Sequence, residues 1–226
     1  MHHAEEYVRT GTPIDLHQQM TVEQWARYQR SMRALAAQTA PQVAQAIPVP
    51  GDAIDMIDIG GSHGYYSVAL CRRHTYLRSV VLDLPEAVRA AAPILAAEKM
   101  GDRVVHLEAD ALTHDFGVES YDVVLLSNLA HHFSASQNAD LFGRLGRALR
   151  PGGVLAVVEH IRVESGERMG QFAALNEFYF GMTSRSGTWT THHIVGWQRD
   201  AGLLPASKPT TLGSGDISLL VATKTE

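Results

Sequence analysis

The hydrophobic positions of the chain fall into two textures. Residues 54–59, 79–83, 103–108, 121–126 and 154–158 are short runs dense in Ile, Val and Leu. Unbroken runs of this length belong to strands covered on both faces. The segments between them, residues 65–73, 85–100 and 135–149, read as helices, with Pro85 at a helix start. Pro151-Gly152-Gly153 reads as a turn. Strands alternating with helices give right-handed crossovers and a mostly parallel sheet. Beyond residue 158 the rhythm changes. A helix-rich section covers about residues 168–183, a helix surrounds residues 192–201, and a last strand occupies residues 217–223.

Ahead of the first strand the pattern is weaker. Residues 1–20 show no period, and Gly11 and Pro13 predict an irregular lead-in. Thr21 and Gln24 form a capping-box pattern that opens a helix. Its apolar face is Trp25, Tyr28, Met32 and Leu35, at spacings of three and four, and it runs to about residue 39. Pro41 predicts a second short helix ending near Ile47, before Pro48, Pro50 and Gly51. The chain thus divides into an N-terminal helical lead-in (1–50) and a main α/β domain (51–226).

Composition narrows the function. At 226 residues and 45% hydrophobic, the chain suffices for one core. The net charge is −5 and Lys and Arg form no block, so no nucleic-acid surface is advertised. One cysteine, Cys71, excludes an intrachain disulfide. The apolar runs are strand-sized, short of the roughly 20 residues of a membrane span. The polar start, Met1 to Glu6, is unlike a signal peptide. The expectation is a cytoplasmic protein with a small-molecule ligand and neither nucleic acid nor membrane as partner. Its twelve His are scattered, and adjacent His192 and His193 splay apart, so no metal is predicted.

The candidate chemistry sits at the ends of the strand runs. Asp58-Ile59-Gly60-Gly61-Ser62-His63-Gly64 joins the first strand to a helix. Small residues there let a ligand approach the backbone, although an ordinary strand-to-helix turn reads the same way. The second run ends at Asp83, where a carboxylate can accept both hydroxyls of a ribose; the plainer role is a cap ahead of Pro85. The third is followed by Asp110, placed to read an exocyclic amine. Three acids at successive strand ends form a constellation at the edge where open α/β sheets bind ligands.

These motifs resemble the class I S-adenosylmethionine-dependent methyltransferases. More narrowly they are similar to the O-methyltransferase family of plant caffeate and flavonoid enzymes and bacterial antibiotic-tailoring enzymes. The resemblance is carried by Ile57 to Gly64, Asp83-Leu84-Pro85, Ala109-Asp110-Ala111, Tyr121 to Asn128, and Leu149 to Gly153, in that order. It implies a Rossmann-like, doubly wound, mostly parallel seven-stranded sheet with an antiparallel C-terminal strand, preceded by short N-terminal helices. It also implies S-adenosylmethionine as cofactor. The cofactor contacts it assigns are Asp58, Gly60, Gly61, Ser62, Gly64, Asp83, Leu84, Asp110, Ala111 and Asn128. Ser62 is a departure, since the family usually has a third glycine there. The resembled enzymes carry a longer helical dimerisation region, so a homodimer is the implied assembly. Here fifty residues precede the α/β domain, which predicts either a stand-alone catalytic domain or one separated from its helical partner region.

The same resemblance implies that His131, in Ser127-Asn128-Leu129-Ala130-His131-His132-Phe133, is the general base for a substrate hydroxyl. Histidine suits the task because its unperturbed pKa of about 6.5 lies near working pH. A capping or packing role is the alternative. Glu159 ends the fifth strand and is the candidate partner that orients His131, unless it is a solvated strand-end residue. A second carboxylate expected near residues 186–190 is replaced by Trp189. Trp25, Tyr28, Met32, Phe178 and Met182 are candidates for the wall of an aromatic or polyketide-like substrate site, with core packing as the competing reading. The expected reaction is methyl transfer to a small-molecule hydroxyl. Transfer to nitrogen or carbon, or a non-methylating reaction on the same fold, are the alternatives.

Overall fold

The apolar runs pair as five parallel strands. These are β1 (Asp55–Ile59), β2 (Arg78–Asp83), β3 (Val104–Glu108), β4 (Tyr121–Ser127) and β5 (Leu149–Glu159), ordered β3-β2-β1-β4-β5. The last strand, β10 (Ile217–Lys224), lies antiparallel beside β5. Two short strands, β8 (Leu203–Pro205) and β9 (Thr210–Leu212), both pair with β10. The connected sheet thus has eight strands, seven on one path with β9 alongside. A separate pair, β6 (Ile161–Arg162) and β7 (Trp189–Thr190), sits just beyond the end of β5. The computed structural model describes residues 2–14, 20–164, 170–184, 186–213 and 217–225.

Strand alternation sends neighbouring side chains to opposite faces. Met56, Val123 and Leu125 pack under α2 (Val22–Ala46), α3 (Tyr65–Arg73) and α4 (Pro85–Ala97). Ile57, Val124 and Leu126 pack under α5 (Ala135–Ala148) and α7 (Thr191–Asp200). The sheet is therefore a central layer between two helical layers, which is why its strands read as short runs dense in Ile, Val and Leu.

Three local expectations are corrected. The lead-in contains a helix, α1 (His2–Thr10). Its order comes from a tertiary contact that no local period records: Tyr7 packs edge-on against Phe178 of α6 (Gln171–Thr183), with ring centroids 5.8 Å apart. Second, Pro41 does not start a new helix; α2 runs through it. Pro41 is exposed, while Ala36, Ala40, Val43 and Ala44 are buried on the other side. Burial along that side outweighs the one hydrogen bond a helical proline forfeits. Third, Pro151-Gly152-Gly153 is not a free turn but a bulged part of β5, whose Leu149 already pairs with Tyr121. The predicted helix over about 168–183 is present as α6; residues 168 and 169 lie outside the described residues. No described helix is long and apolar enough to cross a membrane.

Candidate active site

The strand order reverses between β1 and β4, and a crevice opens at their carboxyl ends. It widens into a cleft of about 1240 Å³. One bank is the glycine loop. The Gly60 N–H donates to the Leu82 carbonyl (2.7 Å), which extends the β1–β2 ladder by one bond, and the left-handed φ of 65° at Gly60 then turns the chain out of β1. A Cβ on Gly61 would stand 2.4 Å from the carboxyl carbon of Asp58, so only glycine fits above that buried acid. Ser62 is left-handed, at φ 54°, a conformation that glycine adopts more readily than serine.

The acids at the strand ends differ in what they can reach. Asp58 does not reach the cleft. It is fully buried beneath Gly61 and accepts the Ser67 hydroxyl at 2.8 Å. Burial, offset in part by the Ser67 bond and reinforced by Asp83, pushes its pKa up to about 7. Asp83 lines the cleft. It accepts the N–H of Leu84 at 2.8 Å and that of Ser62, and it makes no side-chain cap to α4. Burial raises it to about 6 against those two bonds. Asp110, Ala111, Leu84 and Asn128 also line the cleft, whereas Gly64 does not. One Asp110 oxygen accepts the Leu112 N–H at 2.9 Å, which fixes the turn after β3. The Asn128 side-chain oxygen is buried and unpartnered among the described residues. No Lys or Arg lines the cleft among those residues; Glu86 at its edge pairs with Arg89 at 3.0 Å, whereas Asp83 and Asp110 make no ion pair among the described residues.

Helix α2 holds the glycine loop from above. Gln29 accepts the hydroxyl of Ser62, and His106 of β3 contacts the Ser62 carbonyl at 2.8 Å. His63 accepts the Tyr65 N–H at Nδ1 (3.1 Å) and bonds the Met32 backbone. With Nδ1 accepting, the ring proton sits on Nε2. Burial, with Arg33 nearby, lowers His63 to about 4 and keeps it neutral. Sequence reasoning missed Gln29, His63 and His106. Gln29 did leave a trace: it is a polar residue inside the Trp25–Met32 apolar stripe.

On the far bank, the turn Ala130–His132 after β4 presents His131 to the cleft. Its Nδ1 lies 2.9 Å from Oε1 of Glu159, and both residues are buried. The same oxygen accepts the His160 N–H at 2.9 Å. Because a carboxylate oxygen only accepts here, the His131 proton belongs on Nδ1 and Nε2 carries the lone pair. Phe180 packs on the His131 ring at 4.2 Å between centroids.

Of the wall candidates, Trp25, Tyr28 and Met32 line the cleft. Tyr28 meets Trp25 edge-on at 5.9 Å, and burial, with Tyr179 and Asp83 near, pushes its phenol upward. Phe178 and Met182 do not line it. Phe178 is exposed against Tyr7, and Tyr179, Phe180 and Asn176 take the inward side of α6 instead. The apolar residues of the helix are not confined to one side, and Asn176 and Glu177 interrupt them, so periodicity gave no facing signal. No cluster of three His, Cys, Asp or Glu suited to a metal occurs among the described residues.

Known proteins share this frame. The chain is 32% identical over 168 residues to a 3-hydroxy-5-methyl-1-naphthoate 3-O-methyltransferase from Streptomyces sahachiroi, covering 73% of this chain and 47% of that protein. The chain spans about half the length of the curated relatives it matches first. An O-methyltransferase family protein from Burkholderia thailandensis superposes with a TM-score of 0.84 at 24% identity, over 98% of this chain and 67% of that one. Human N-acetylserotonin methyltransferase, solved with S-adenosylmethionine, shares the fold at a TM-score of 0.82 and 16% identity, over 100% and 66% of the two chains. The O-methyltransferase domain family matches residues 15–194, most of the helical lead-in and the crevice together, and the chain belongs to that family.

Proposed function

We propose that this chain binds S-adenosylmethionine and catalyses methyl transfer to a hydroxyl of an aromatic or polyketide-like small molecule. The observation that carries the reading is the 2.9 Å His131–Glu159 pair, set in the same cleft as the glycine loop and Asp83. The residues present fit the cofactor. Gly60 and Gly61 leave no room for side chains and bring bare backbone to the cleft. Asp83, raised by burial and without a cation among the cleft residues, would take two ribose hydroxyls. Asp110 and Ala111 line the same cleft and would read the adenine, and the unpartnered oxygen of Asn128 offers a further acceptor. When bound, the cofactor supplies an electrophilic methyl group on a sulfonium.

The chain's own residues then bind, orient and deprotonate. Trp25, Tyr28, Met32 and Phe180 offer apolar faces for a planar ring. The Nε2 of His131 takes the proton of the substrate hydroxyl, which leaves an oxygen nucleophile. Glu159 keeps the ring in the Nδ1–H tautomer and balances the imidazolium as it forms. The naphthoate relative acts, by its name, on a ring hydroxyl, which supports the substrate class.

The test is incubation of the protein with cofactor labelled in its methyl group and a panel of phenols and naphthols, read by mass spectrometry and by localisation of the label. The expected product carries the label on oxygen. Label on nitrogen or carbon, or no labelled product from any member, overturns the reading.

A further inference from the structure

The turn that carries His131 is held by more than Glu159. Three donors converge on the carbonyl of Ala130, the residue before the histidine. They are the Trp189 indole Nε1–H at 2.9 Å, the Asn138 side-chain amide at 2.9 Å, and the Phe133 backbone N–H at 3.2 Å. The Asn138 amide also donates to the Phe133 carbonyl at 3.1 Å, so it spans the turn from end to end. Asn138 is fully buried on α5, a polar side chain kept inside an otherwise apolar layer. A buried donor of this kind is costly unless it is satisfied.

Trp189 and Glu159 hang from one small frame. Glu159 ends β5, Ile161 begins β6 two residues later, and Ile161 is the register partner of Trp189 in the β6–β7 pair. The strand pair therefore fixes the spacing between the group that holds the His131 ring and the group that holds its backbone. Trp189 is itself braced, since its ring meets Trp197 edge-on at 5.1 Å and His193 at 5.2 Å. Phe180 closes the remaining side of the imidazole. Together these contacts restrict both the backbone and the ring of His131.

We infer that Trp189 and Asn138 are positioning residues for the proposed base: they clamp the Ala130 carbonyl and thereby hold His131 Nδ1 on Glu159 and Nε2 toward the cleft. This rests on the reading of His131 as base, and the test separates the two. Trp189→Phe keeps a ring in the aromatic stack but removes the N–H together with part of the indole, so Asn138→Leu serves as the independent second variant. Asn138→Leu keeps similar bulk and removes the amide. In histidine-labelled protein, the Nδ1 proton of His131 reports the contact with Glu159 directly, whether or not any phenol is methylated.

Each variant is expected to speed exchange of that proton with water about fivefold, the equivalent of one net hydrogen bond. In turnover assays kcat is expected to fall about tenfold, with cofactor affinity and phenol KM within about twofold, because misplacement of a base costs rate rather than binding. In the Glu159→Gln background the further loss from Trp189→Phe is expected to shrink to about twofold, since both act through one ring. Exchange of the Nδ1 proton within twofold of wild type in Trp189→Phe overturns the inference. Equal losses of kcat with and without Glu159 also overturn it. A wild-type protein that methylates no phenol, with the exchange effect intact, would remove the assigned reaction and leave the clamp standing.

Discussion

The two ends of the parallel sheet treat their acids in opposite ways. At the amino end of β1 and β4, Asp55 and Asp122 share Arg150 at 2.8 and 2.9 Å. Asp122 also accepts the N–H groups of Ile54 and Asp55, both at 2.8 Å. These bonds to the backbone and to Arg150 outweigh its burial and hold its pKa below the usual carboxylate range. At the carboxyl end, Asp58 and Asp83 are raised to about 7 and about 6, and no Lys or Arg lines the cleft among the described residues. One end spends its carboxylates on stability. The other leaves its acids without a cation, and Asp83, the one of the two that lines the cleft, is where a ligand would supply further contacts.

The largest effect that would sharpen this contrast comes from the base. Replacing His131 with Ala is expected to lower kcat by about 10²- to 10⁴-fold while cofactor affinity, measured by calorimetry, stays within about twofold. Loss of cofactor binding in step with kcat would place His131 in the binding machinery instead. At the opposite end, Arg150→Ala leaves two acids without their cation. Arg150 is about a third exposed, so screening limits the loss to about 1 kcal/mol, or roughly 2–4 °C in melting temperature, with cofactor affinity unchanged. A melting temperature equal to wild type would show that the paired end is not the stabilising one.

The pH dependence of stability should have opposite signs at the two ends. Asp83 has a folded pKa near 6 against an unfolded value near 3.8, so the folded state holds its proton longer. Its ionisation therefore costs stability as pH rises through that window. Asp83→Asn should melt like wild type at pH about 3.5 and roughly 2–4 °C above it at pH 7. Asp122 is depressed, so its contribution is present above the unfolded pKa and is lost as pH falls through the folded one. Asp122→Asn should melt below wild type at pH 7, and the gap should close in acid. Differential scanning at several pH values reads both. Shifts of the same sign at the two ends would remove the contrast.

Much of this architecture was legible because it follows from local chemistry. A double-faced strand is rich in Ile, Val and Leu, so β1 and β4 announce themselves, and Pro85 suits the first turn of α4. Asp83 stands out because an acid is expensive at the end of such a run. What was not legible depends on partners distant in sequence. The order in α1 comes from Tyr7 against Phe178, more than 150 residues away. The inward side of α6 is chosen by His131 packing on Phe180, not by any stripe in the helix itself. Trp189 marked the place where a second carboxylate was expected, but only the fold reveals that its indole reaches Ala130.

The account rests on the claim that the cation-poor carboxyl end is the cofactor end. The most direct measurement is a calorimetric titration of S-adenosylhomocysteine into wild type and Asp83→Asn at pH 7. The account predicts that the variant folds, melts no lower than wild type, and binds about 10- to 100-fold more weakly, the usual cost of losing hydrogen bonds to a charged acceptor. Equal affinity in the two proteins would contradict it.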